Sequence, residues 1–130
     1  MSPTEARLKD VLEAWNRCFS GSSGFSMYYA FDNFYDNPNI FPVFCTVYCS
    51  RQAGDQAGDG LADPPIQVAC GAAEDEDGAV EMVLSQMSGG NARFTPPCSS
   101  SAELEVYASA GYGERVAAEI RNFAGYAGEG

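Results

Sequence analysis

Between residues 3 and 19, apolar side chains return every three or four positions: Leu8, Val11, Leu12, Trp15 and Phe19. On a helix that spacing gathers them into one stripe. Ser2 followed by Glu5 is a capping-box pattern, and Pro3 suits a first helical position. Gly21 and the Gly-Ser run at 20–24 close the element. The period then changes to two. Phe25, Met27, Tyr29 and Phe31 alternate with Ser26, Tyr28 and Ala30, which predicts a strand with one apolar face. Asp36-Asn37-Pro38-Asn39 is a turn signal, and residues 40–49 predict a second strand. Both faces of that strand are largely apolar, which places it centrally in a sheet and covered on both sides, with pairing that starts after Pro42.

Residues 52–65, rich in Gly, Asp and Pro, predict a loop. Its AGDQ and AGDG echo is too short for a structural repeat. Ile66, Val68 and Cys70 alternate as a third strand. Glu74-Asp75-Glu76-Asp77-Gly78 follows, and its Asp-Gly pair is a hairpin signal leading into Val80, Met82 and Leu84 as a fourth strand. Val80, Val83, Leu84 and Met87 also match helical spacing, and acids at 74–77 suit a helix N-terminus. The Asp-Gly pair before a short apolar run favours the hairpin. Residues 88–101 predict another loop, and Leu104, Val106 and Ala108 a fifth strand. Val116, Ala117, Ile120, Phe123 and Ala124 predict a short C-terminal helix ended by Gly125 and Gly128. The expected fold class is α+β. It has an N-terminal helix, about five mostly antiparallel strands and a short C-terminal helix, with both helices on one face of the sheet. The whole of 1–130 is expected to be a single compact acidic domain.

Charge adds what periodicity does not show. Eighteen acids face seven bases, a net of −11, with no histidine and Lys9 as the sole lysine. Residues 1–50 carry five acids and three bases, and residues 51–130 carry thirteen and four. From Arg51 to Arg93 no base interrupts Asp55, Asp59, Asp63, Glu74, Asp75, Glu76, Asp77 and Glu81. Such a field repels nucleic acid and anionic membranes and draws in basic surfaces. Solubility alone, or a proteome acidic throughout, is the plainer meaning of the same imbalance.

The candidate chemistry is sparse. Without histidine, Ser-His-Asp and Cys-His arrangements cannot be built. A general base near neutral pH would have to be a carboxylate, cysteine or lysine with a shifted pKa. The five cysteines contain no Cys-x-x-Cys pair, and Cys45 and Cys49 on one strand would lie roughly 13 Å apart at about 3.3 Å per residue. They are expected to be reduced, buried thiols in a cytoplasmic protein, since no signal peptide or membrane span is apparent. Residues 55–63 look faintly like a calcium loop but fail the ligand spacing. No phosphate-binding glycine motif occurs. No catalytic residue, cofactor or metal is assigned.

Two features remain. Nine aromatics fall between Phe25 and Tyr48, more than one core face needs, so Tyr28, Phe34 and Tyr35 are candidates for a contact surface. Four consecutive carboxylates at 74–77 would repel one another in a hairpin tip, with no structural return for that cost. The expectation is a non-enzymatic acidic binding protein that engages and inhibits a basic, nucleic-acid-binding partner. Small acidic phage inhibitors of bacterial defence (anti-CRISPR proteins or DNA mimics) and toxin immunity proteins share its size and charge. Its partner-binding residues would be Asp55, Asp59, Asp63, Glu74, Asp75, Glu76, Asp77, Glu81, Tyr28, Phe34 and Tyr35. The alternatives are a small α+β enzyme or ligand-binding domain with an aromatic-lined pocket that uses an acid or Cys45, and a subunit of a larger assembly.

Overall fold

The computed structural model describes residues 2–19, 25–33, 42–51, 65–94 and 98–129. Helix α1 spans Pro3–Phe19. Ser2 Oγ accepts from the Glu5 N–H at 3.1 Å, so the capping pattern is used. Three strands follow, β1 Phe25–Asn33, β2 Val43–Arg51 and β3 Ile66–Ala73. They form an antiparallel sheet in the order β1-β2-β3. The strand expected at 40–49 is central, and its pairing starts directly after Pro42. A bulge at Val68 shifts the β2–β3 register, where Val47 pairs with Ala69 but Tyr48 with Gln67.

Two expected strands are helices, so the described sheet has three strands and not five. Helix α2 spans Glu76–Ser88. Asp75 is its N-cap and accepts from the Gly78 N–H at 2.8 Å. Val80, Val83, Leu84 and Met87 are all buried, whereas Met82 is 46% exposed. A strand with Val80, Met82 and Leu84 inward would have buried Met82 and turned Val83 to the opposite face. Helix α3 spans Ser101–Ser109 where the fifth strand was expected. Ser100 caps it, accepting from the Glu103 N–H, and Glu103 reaches back to the Ser99 N–H. Leu104 is buried, but Val106 is 69% exposed, so the Leu104-Val106-Ala108 alternation does not mark a buried face. Helix α4 spans Tyr112–Glu129 and runs through Gly125 and Gly128 without stopping at either.

One face of the sheet carries Met27, Cys45, Val47 and Cys49, all buried. Helices α1 and α2 cover it, and α3 and α4 pack against α1 as an outer layer. Gly71 allows the close approach of α2. A Cβ there would lie 2.8 Å from the Met82 Cβ and closer still to the Ala79 carbonyl. The stretch between α2 and α3, expected as a loop, is irregular but contributes to the core. Ala92, Phe94 and Cys98 are buried, and the Cys98 N–H donates to the Met87 carbonyl at 3.0 Å.

Coverage of β2 on its second face is only partial. Thr46 is buried, but Phe44 and Tyr48 are half-buried and no described helix lies over them. The outer strands are tied down by side-chain amides. Asn16 of α1 accepts from the Met27 N–H at 2.6 Å and donates to the Met27 carbonyl at 3.2 Å. Gln86 of α2 does the same for Cys70 of β3. An amide side chain thus stands where the peptide group of a further strand would be.

Candidate functional site

The acids expected at a hairpin tip sit instead around the start of α2. There they have a structural return. Asp75 satisfies an orphan N–H as the cap, which is worth about 1 kcal/mol. Glu76 and Asp77 lie in the first turn, where the helix dipole favours negative charge by about 0.3–1 kcal/mol each. These acids therefore do have a structural return, contrary to the expectation from a hairpin tip. They remain accessible, since Glu74, Asp75, Glu76 and Asp77 are all exposed.

The topology adds other acids to this end of the molecule. Asn33, Val43 and Ala73 are register partners, so β1 ends where β3 ends and α2 begins. Asp32 is exposed one residue before that end. Glu5, in the first turn of α1, lies there too, and its Oε2 accepts from the Tyr29 hydroxyl at 2.6 Å. Burial, the bond to Glu5 and the charges of Glu5 and Glu76 push the Tyr29 phenol up to about 12. Glu5, Asp32 and Glu74–Asp77 thus make one acidic pole. Neither Glu5 nor Asp32 was a sequence candidate. The signal that could have found them was topological, because two antiparallel turns return β3 to the end at which β1 finishes.

Glu81 is exposed on α2, one turn beyond Asp77. It lines an open cleft of about 280 Å³ with Arg7, Ser85, Ser88 and Ser99. Tyr28 is 40% exposed on the sheet face over which no described helix lies. Its ring stacks at a tilt on Tyr48, with centroids 5.6 Å apart. Asp55, Asp59, Asp63, Phe34 and Tyr35 lie outside the described residues.

All five cysteines are free thiols. Cys45 is fully buried; burial, and then the neighbouring Cys70, Glu5 and Glu76, push its thiol up to about 12. That suppresses the thiolate a nucleophile needs. Among the described residues, no group of three Cys, Asp or Glu side chains could hold a metal ion, and no helix is long and apolar enough to cross a membrane. A second open cleft, of about 180 Å³, lies between α1 and β1. Both clefts fall below the roughly 300–1,000 Å³ common for small-molecule pockets.

The chain matches no protein-family model. No curated protein and no solved structure matches it either.

Proposed function

We propose that this is an acidic binding protein whose pole of Glu5, Asp32 and Glu74–Asp77 docks on a basic, nucleic-acid-binding protein and competes with its nucleic acid. The observation that supports this reading is the convergence of six carboxylates from three elements onto one end of a domain of net charge −11. Charge concentrated in this way steers association with a cationic groove. Inhibitors of nucleic-acid-directed defence systems and immunity proteins for nuclease toxins are the roles such a surface fits. They share its small size and its excess of acid.

The test uses the full chain and a variant with Glu74→Gln, Glu76→Gln and Asp77→Asn, which keeps the Asp75 cap. Proteins retained from bacterial lysate at low salt are identified and purified, and their DNA binding is measured with and without this protein. The expected result is a basic partner released by about 0.5 M salt, where screening acts within a few ångströms. The wild type should displace its DNA at least about tenfold better than the variant. Retention indifferent to both salt and the variant, or a partner that keeps its DNA, refutes the proposal.

A further inference from the structure

The two outer strands differ in how their free backbone groups are met. On β3, Gln86 covers both groups of Cys70, and the Arg93 N–H donates to the Val68 carbonyl at 3.2 Å. On β1, Asn16 covers Met27 alone. Because the Met27 N–H and C=O face away from β2, the alternation of an antiparallel ladder turns those of Tyr29 and Phe31 the same way. Among the described residues, no hydrogen bond reaches these four groups.

Beside them lies the smaller cleft, lined by Lys9, Leu12, Glu13, Asn16, Met27, Tyr28 and Tyr29. Tyr28 and Tyr29 project to opposite faces of the strand. A hollow touched by both, and by α1, therefore wraps around the edge of β1.

We propose that the free edge of β1 at Tyr29–Phe31 receives an extended segment of a basic partner as a fourth strand. The backbone of the segment bonds the N–H and C=O groups of Tyr29 and Phe31, the pattern of β-strand addition. An apolar side chain enters the cleft against Leu12 and Met27, and basic side chains meet Glu13 and the field of the acidic pole. Charge selects this occupant over a second copy, which would set one chain of net −11 against another. The inference rests on the acidic-binder reading and adds the backbone contact by which the partner is held.

The probe is a short acetylated peptide of alternating lysine and valine, titrated into the isotope-labelled full chain. Amide exchange at Tyr29 and Phe31 is expected to slow about tenfold or more at saturation. Phe31→Pro removes a donor facing away from β2, a position where an edge strand tolerates proline. It should weaken binding at least about tenfold, while Phe31→Ala, which keeps the N–H, stays within about threefold of wild type. Protection confined to other amides, equal affinity of the two Phe31 variants, or no binding at millimolar peptide overturns the proposal. Protection of the same amides on concentrating the protein alone assigns the edge to a second copy and overturns it as well. Should the proline variant not fold, the exchange pattern of the wild type decides. If the acid-neutralised variant loses the captured partner while Phe31→Pro keeps it, the edge fails and the acidic pole stands. The converse sinks the pole and leaves the edge.

Discussion

Cys45, Cys49 and Cys98 are nearly or wholly inaccessible, and burial dominates their chemistry. Their thiols are pushed up from 9.0 to about 12, about 12 and about 11. Below pH 9 both folded and unfolded chains keep these protons, so the thiols give folding no pH dependence. Above it the unfolded chain gives them up first. Stability then falls as pH rises from the ordinary value toward the folded one, by about 1.4 kcal/mol per pH unit for each thiol at most. Urea midpoints should therefore hold up to about pH 9 and drop steeply by about pH 10, with a flatter drop in Cys49→Ala. A wild-type profile level through pH 10 would show that the thiols ionise freely in the fold.

Helices α2 and α3 are both capped. Both segments contain three apolar residues at period two, and in each a side-chain oxygen meets a free N–H group of the first helical turn. Asp75→Ala and Ser100→Ala should each lower stability by about 1 kcal/mol in urea unfolding, with loss of far-ultraviolet helix signal on partial denaturation. Unchanged midpoints would mean the caps are dispensable. The amide clamps at Met27 and Cys70 matter differently. They close part of each sheet edge, at Met27 on β1 and at Cys70 on β3.

For the molecule as a whole, the carboxylates act together. The two faces of the sheet differ, one buried under α1 and α2, the other bearing the Tyr28–Tyr48 pair. The acidic pole closes one end. Like charges held there oppose the folded state, and added salt relieves that repulsion. The urea midpoint should rise between about 0.01 and 0.5 M sodium chloride, less so in the variant neutralised at positions 74, 76 and 77. A midpoint that falls with salt would mean that the helix-end attractions outweigh the repulsion. The exposed ion pair of Arg17 with Glu105, between α1 and α3, is too solvated to offset it.

Helix α1 and the strand expected at 25–31 were legible because each carries its full period within a short window, and the strand expected at 40–49 because its run is largely apolar on both faces. The Ser100 and Glu103 capping pattern was equally present in the chain, and the alternation of Leu104, Val106 and Ala108 masked it. At 74–88 both periods fitted, and local residues could not choose between them. The choice fell to packing, because α2 fits over Gly71 and buries Val80, Val83, Leu84 and Met87 together. The sequence likewise established the excess of acid and its weight after Arg51, and its gathering with Glu5 and Asp32 at one end followed from topology. Glu5, Asp32 and Glu74–Asp77 are far apart in the chain, and antiparallel turns bring them to one end. The same holds for the edge of β1, where among the described residues no hydrogen bond reaches the outward groups of Tyr29 and Phe31. Backbone groups carry no residue signature, and which of them remain unpaired depends on where Asn16 and Gln86 reach across the fold.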